Sequence, residues 1–348
     1  MVTIGVDPHK SSHTFVAVDG NGRKLAEKTC SATAEDDLEA LCWAGQWPER
    51  VWALENCRHL VRRLERDLLV AGEPVVRVPS RLMAKTRRTG RQRGKSDPID
   101  ALAVARSALQ EPGLPVAHLE GISREVRLLV DHREDLVGER SRIQNRLRWH
   151  LHELEPGYQV GSLSRTAALR KLETRLASHS GRVAELAGEL LGRLRELTVR
   201  VQQLESELGQ LVRPLVPTLL ALQGCGVLTA AKIIGEVGNI SRFRSRAAFA
   251  RYNGSAPIPV WSGKDDHHRL NPGGNRQLNA ALHRIAITQI RAGGQGRPYL
   301  EHRLHERDTP KEAIRALKRR LSNEVYQRLL SDERTRMACA ESPHVEAA

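Results

Sequence analysis

Thr3-Ile4-Gly5-Val6-Asp7 is followed, after Pro8-His9-Lys10, by Thr14-Phe15-Val16-Ala17-Val18, the turn Asp19-Gly20-Asn21-Gly22 and the run Lys24 to Thr29. The first apolar run reads as a strand that ends on an acid. The Asp-Gly and Asn-Gly pairs are hairpin chemistry, because each supplies residues that tolerate positive φ. Three strands therefore come first, joined by a tight turn. Glu35 to Gly45 then reads as a helix, Val51-Trp52-Ala53-Leu54-Glu55 as a buried strand, His59 to Val70 as a helix and Pro74 to Val78 as a fifth strand. Lys95-Ser96-Asp97-Pro98-Ile99-Asp100 opens another helix, with proline at its start. The order β-β-β-α-β-α-β-α predicts an α/β ribonuclease-H-like domain over residues 1–112. A dinucleotide-binding sheet would alternate from the start and would need a Gly-rich first loop.

Within that order, four acids fall where they can meet. Asp7 and Glu55 each end an apolar strand, and Asp97 and Asp100, three apart on a helix, share a face. Four carboxylates at one point can hold two divalent cations bridged by a phosphate, which stabilises both the attacking and the leaving oxygen. All the donors are hard oxygens, so Mg²⁺, or Mn²⁺ in its place, is the expected cofactor. The last pair also has a purely structural reading, with Asp97 as N-cap and Asp100 at the third helical position.

The chain has 348 residues and a formal net charge of +14, with a pI near 10.1. A polyanion is the natural partner, since neutralising phosphates releases counterions; a membrane surface is the alternative for a basic protein. Aromatic residues make up only 3%, which argues against a base-stacking platform. No run reaches the roughly 20 apolar residues of a membrane span, and the N-terminus enters a strand pattern with no leader signal. The five cysteines show no C-x-x-C spacing, so a disulfide framework or zinc site is not expected. A cytoplasmic, nucleoid-associated bacterial protein is the expectation.

From 120 to 213 the pattern changes. Leu136, Ile143, Leu147, Leu151 and Leu154 recur at helical spacing, and Leu190, Leu194, Leu197, Val201, Leu204, Leu208 and Leu211 alternate four and three. Such a seam predicts coiled-coil linker or dimerisation helices; helices of an ordinary bundle are the alternative. Glu155 to Arg165 separates the two helices. Pro214 and Pro217 end the segment, a mainly α-helical domain follows over 216–330, and 331–348 reads as a flexible tail.

Three features point to nucleic acid. Lys85, Arg87, Arg88, Arg91, Arg93 and Lys95 form a basic, glycine-interrupted run just before Asp97, suited to guide a phosphate; a solvated charge run is the plain alternative. Gly224 and Gly226 in Leu222-Gln223-Gly224-Cys225-Gly226-Val227 resemble a helix-hairpin-helix turn, where backbone N–H groups approach a phosphate, although a tight turn without a ligand has the same look. Ser262 sits in Pro257-Ile258-Pro259-Val260-Trp261-Ser262-Gly263-Lys264, with Lys264, Arg269 and Arg276 nearby. A serine among cations can attack a phosphate, yet loop serines are common. Asp265-Asp266-His267-His268 is a poor metal cluster, because adjacent residues cannot all face one ion.

These motifs resemble the DEDD transposases of the insertion-sequence 110 family, also described as bridge-RNA-guided recombinases. The resemblance rests on Ile4-Gly5-Val6-Asp7, Glu55 and Lys95-Ser96-Asp97-Pro98-Ile99-Asp100-Ala101, then on Gly224-x-Gly226, Phe249-Ala250, Gly254, Pro257, Ser262-Gly263-Lys264 and Gly274-Asn275-Arg276-x-Leu278. It spans nearly the whole chain and implies that the first domain is RuvC-like. By position it implies that Asp7, Glu55, Asp97 and Asp100 bind metal and that Ser262 is the nucleophile that attaches to DNA, with Ser255 a weaker candidate. It further implies donor and target DNA as substrates, a structured guide RNA, no membrane, and a homo-oligomer (dimer or tetramer) whose active site combines two protomers. Asp265-Asp266 departs from the basic or neutral residues frequent there. The expected function is a transposase or DNA recombinase; the alternative is a ribonuclease-H-like Holliday-junction resolvase or nuclease that uses water and two metals.

Overall fold

The computed structural model describes residues 1–55, 60–79, 82–83, 96–111, 113–119, 121–262, 265–269, 271, 273–306 and 308–341, with the backbone path alone for 259–262, 265–269 and 340–341. It divides into two compact units, Met1–Glu120 and Gly121–Ala348.

The first unit is a five-stranded mixed sheet with helices on both faces. Strands β1 (Val2–Pro8), β2 (Ser12–Val18) and β3 (Lys24–Ser31) form an antiparallel meander; β4 (Arg50–Glu55) and β5 (Val75–Val78) run parallel to β1. The sheet order is β3-β2-β1-β4-β5. Helices α1 (Ala34–Ala44) and α2 (Arg62–Val70) cover one face and α3 (Asp97–Gln110) the other. The strand pleat explains the sorting: Ile4, Val6, Phe15, Trp52 and Leu54 pack toward Ala40, Leu64 and Leu68, whereas Val16 and Val18 meet Ala101 and Ala105 of α3. Both faces are buried, so β1, β2 and β4 read as near-continuous apolar runs. The β2–β3 hairpin closes as its composition predicts, with Asp19 accepting from the Asn21 and Arg23 amides and Gly22 at φ 75°. This mixed sheet, in this order, fits the RuvC-like fold read from the sequence.

The second unit is mainly helical. Helices α4 (Ile122–Leu154) and α6 (Arg182–Leu215) run antiparallel, as the ion pairs Arg133–Glu205 and Glu139–Arg193 require. A short helix, α5 (Thr166–Leu176), lies between them in the chain, just after the separating stretch Glu155 to Arg165. It is needed: Leu169, Leu172 and Leu176 close a core with Ile143, Leu147 and Leu151 of α4 and Leu191, Leu194 and Leu197 of α6. The four-three seam therefore faces two helices at this end, and Leu194 to Leu208 are buried within a single chain.

Nearer the other end, Val126 and Val130 of α4 and Leu208 and Val212 of α6 belong to one large core. That core continues through α7 (Pro217–Leu220), α8 (Val227–Val237), α9 (Arg246–Tyr252), α10 (Arg276–Arg291) and α12 (Pro310–Glu341), with α11 (Gly296–His305) alongside. A two-stranded hairpin, β6 (Ile258–Ser262) and β7 (Asp265–Arg269), rises between α9 and α10. The tail expected from 331 is instead helical to Glu341. Asp332 gives the reason: buried, it accepts hydrogen bonds from the Thr218 and Leu219 amides, the open N-terminal donors of α7.

Candidate metal centre and serine hairpin

Asp7 lies one residue beyond the last paired position of β1 and β4, Val6 against Leu54. Its neighbour across the parallel strands is thus Glu55, on the same face of the sheet. That face carries Gly5, and the missing side chain there decides the site. A Cβ on Gly5 would stand 2.1 Å from the Ala101 carbonyl oxygen and 2.5 Å from the Ala105 amide nitrogen. Helix α3 consequently lies directly on β1, bringing its first turn, with Asp97 and buried Asp100, to the end of the strand.

The helix starts one residue earlier than its composition suggests. Ser96 is the cap residue and Asp97 is already helical, so the structural reading of Asp97 as N-cap does not apply. Its carboxylate turns to His9 instead: Nε2 of His9 is 3.2 Å from Asp97 Oδ1 and 3.3 Å from Asp7 Oδ2. The His9 amide donates to the Ser12 carbonyl at 2.8 Å, a tight turn that folds the residue back over the strand end. Asp7, His9 and Asp97 each offer a ligand atom within 4.8 Å of one another. The sequence reading, which sought carboxylates, passed over this histidine; its signal is the spacing Asp7-x-His9.

The electrostatics describe a cluster that wants a cation. Burial pushes the Asp7 carboxyl above its ordinary range; His9 opposes this, and the negative fields of Asp100, Asp97 and Glu55 add to it. Asp7 Oδ2 is buried without a hydrogen bond, His9 being near enough for attraction but not aligned to donate. A buried acceptor with an open lone pair, among acids that raise one another's energy, fits a divalent ion. Thr14, the β2 partner of Asp7, continues this face, its hydroxyl 3.1 Å from that of Thr29.

In the second unit, Ser262 is the last residue of β6 and pairs with Asp265, so it stands at the tip of the hairpin. Ser255 sits at the root, and its hydroxyl is buried without a hydrogen-bond partner. The root is a crossing of two loops. Gly254 has φ 72°, and a Cβ on Gly274 would lie 2.3 Å from Gly254 backbone atoms. Asn275 next caps α10 by accepting from the Leu278 amide, while its amide group donates to Glu236 at 2.6 Å. Gly224, at φ 88°, lets its turn press on α10, where a Cβ would meet the Ile285 carbonyl at 2.9 Å. Gly226 begins α8 without a side-chain cap, beside a depression of about 500 Å³ that Arg284 also lines.

Arg276 opens α10 and is exposed. Lys85, Arg87, Arg88, Arg91, Arg93, Lys95 and Lys264 lie outside the described residues, and the Ser262 and Arg269 side chains are likewise undescribed. No described helix is long and apolar enough to cross a membrane.

Two family models match the chain. A transposase model of the DEDD IS110 type matches residues 4–156, and one described as the transposase IS116/IS110/IS902 family matches residues 216–301. Together they account for well over half of the chain. The insertion element IS116 uncharacterized 44.8 kDa protein of Streptomyces clavuligerus is 25% identical over 382 residues, covering 96% of this chain and 95% of that protein. The insertion element IS900 uncharacterized 42 kDa protein of Mycobacterium paratuberculosis is 24% identical, covering 93% and 94%. Among solved structures, T. thermophilus RuvC in complex with a Holliday junction substrate aligns with 31% of this chain and 93% of its own, at 15% identity and a TM-score of 0.26. The fold assignment rests on the sheet order rather than on that alignment. Matched at both ends by models of one family, and along nearly its whole length by insertion-element proteins, the chain belongs to the IS110 family of DEDD transposases.

Proposed function

We propose that this transposase, an enzyme that cleaves and rejoins DNA, does so with a Mg²⁺-binding acidic centre, a serine nucleophile and a structured guide RNA. The observation that carries the reading is the meeting of Asp7 with Asp97, across His9, at the end of β1. Asp7, Glu55, Asp97 and Asp100 are the proposed metal-binding acids, and His9 offers a nitrogen beside them. The bound ion supplies charge neutralisation at the phosphate under attack. Mg²⁺ suits the hard carboxylate donors, and Mn²⁺ is the expected substitute.

Ser262 is the proposed nucleophile. Its hydroxyl oxygen bonds to phosphorus, the bond from phosphorus to one deoxyribose oxygen breaks, and that oxygen takes up a proton. The serine phosphodiester keeps the bond energy for rejoining to a second strand. The rival hydroxyl, on Ser255, is buried, which disfavours direct attack on a phosphate. A serine needs activation, and we assign this to the acidic centre of another protomer in a dimer or tetramer. The basic run Lys85 to Lys95, with Lys264, Arg269 and Arg276, is proposed to hold nucleic-acid backbone, and base pairing by the guide RNA to select the donor and target DNA.

The test is a denaturing gel of the protein with end-labelled DNA and its guide RNA. Wild type should yield a protein-linked DNA band that Ser262→Ala lacks and Ser255→Ala retains. Cleaved DNA with free hydroxyl ends and no adduct would instead establish hydrolysis by water, as in a resolvase.

A further inference from the structure

At the root of the serine hairpin is a cavity of about 400 Å³ lined by Gly254, Asn271, Arg276, Asn279, His283 and Lys318, among others. Among the described residues that line it there is no carboxylate. Lys318 is only 9% exposed, yet it makes no ion pair among the described residues, and the charged group perturbing it is another cation, Arg315. Burial and this cation lower its pKa, and burial and Lys318 in turn lower that of His283. Taking an ammonium out of water without an opposite charge is strongly unfavourable, so the pocket is arranged for an anion that the chain does not itself supply.

The donors are held in place for it. Lys318 donates to Asn279 Oδ1, Asn279 donates to the Asn253 carbonyl at 2.8 Å, and buried Asn253 donates to Ser322 Oγ at 2.8 Å. An ammonium has three donors, so this relay uses one and leaves two on a residue that lines the cavity. Exposed Arg276 opens α10 at the rim, where the first-turn amides of a helix also favour negative charge. The Gly254–Gly274 crossing forms the wall, a backbone-to-backbone approach that no side chain could enter.

The geometry points to a seat for a DNA backbone phosphate, held by Lys318, His283 and Arg276. The seat would anchor the strand on which the serine acts, and this rests on the function proposed above. From Gly254 at the hairpin root to Ser262 the chain advances eight residues, a span of at most about 27 Å. On a B-form strand that is at most roughly eight nucleotide steps, so the phosphate seated here lies within one duplex turn of the one under attack.

The experiment titrates the full-length protein with labelled duplex DNA of arbitrary sequence across a range of salt concentrations. Lys318→Gln should flatten the log–log salt slope by about 0.9, the amount for one lost phosphate contact, and Lys318→Arg should keep the slope. A folded Lys318→Gln protein with an unchanged slope overturns the proposal. If Lys318→Gln fails to fold, Arg276→Gln on the exposed rim is read the same way, with the same outcomes. A slope that flattens for a structured RNA but not for duplex DNA overturns the assignment to DNA. The serine adduct is scored separately: an unchanged slope with an intact adduct removes only the phosphate seat, and a flattened slope with no adduct removes only the nucleophile.

Discussion

Gly5 of β1 and Ala101 of α3 approach so closely that a Cβ on Gly5 would stand 2.1 Å from the Ala101 carbonyl oxygen. Backbone lies on a strand with nothing between, and the acids at the start of α3 are delivered to Asp7 as a result. Gly5→Ala should lift the helix, lowering stability by about 1–3 kcal/mol as overpacking does and reducing strand cleavage further than the stability loss explains. Thermal melts and a cleavage assay on the same preparation decide it. A variant that cleaves at the wild-type rate would show that the close approach does not set the site.

The acidic centre makes a prediction that does not depend on turnover. Asp7 is buried, short of a hydrogen bond and repelled by three other carboxylates. In metal-free buffer Asp7→Asn should therefore melt no lower than wild type. Adding Mg²⁺ should raise the wild-type melting point, by about 2.7 kcal/mol of stability at a hundredfold excess over Kd, and leave Asp7→Asn unmoved. Equal responses of the two proteins would place the ion elsewhere. Strand cleavage should be lost in Asp7→Asn, Glu55→Gln, Asp97→Asn and Asp100→Asn alike.

His13, on the other face of the sheet, gives the first unit a pH dependence. It is buried beside Asp37, which Arg63 pairs at 3.2 Å, and burial lowers its pKa below the ordinary 6.5, against the pull of Asp37. In the unfolded chain the imidazole takes up a proton as pH falls through that value, while the folded chain keeps it neutral. Stability should thus be full above pH 6.5 and decline below it, until the folded pKa is reached. His13→Asn should remove that decline. Denaturant midpoints from pH 8 to pH 5, conditions set by the ordinary histidine range of about 6.5, would show it; parallel curves for both proteins would exclude His13 as the source.

Leu204 has no exposed surface and Leu197 is 2% exposed, both within one chain. Aspartate at either position should cost more than about 3 kcal/mol through cavity and buried charge, so loss of helix on heating at lower temperature is the expected outcome. Sedimentation gives the discriminating number. A folded variant of smaller particle mass would mean that this seam joins protomers.

The N-terminal sheet was legible because both strand faces are buried, making each strand an unbroken apolar run, and because Asp19 to Gly22 has one conformational use. The convergence of Asp7, Asp97 and Asp100 was legible as spacing. The close contact that achieves it was not: nothing in Ile4-Gly5-Val6 announces that a helix backbone will lie on Gly5. His9 escaped because a turn, rather than a periodicity, brings it back over Asp7. In the second unit the leucine spacing marked the helices but not their partners, since a four-three seam looks the same whether one helix or two face it. The end of α12 was misread because one buried residue, Asp332, orders a segment whose local composition is that of a tail.

The last helix also bears on how copies of such a gene decay. Leu317, Leu321, Val325 and Leu329 of α12 complete the same core that Val126 and Val130 of α4 begin, so the second unit is closed by segments from its two extremes. A nonsense mutation between Leu154 and Pro310 deletes that wall and leaves its counterpart apolar surface on α4 open, while every residue of the first unit is still encoded. Truncated relics should therefore yield a foldable acidic domain attached to an aggregation-prone remnant, which cellular proteases would trim, rather than a weakened recombinase. Inactivation by late truncation is abrupt, and the surviving fragment carries the acids without the serine.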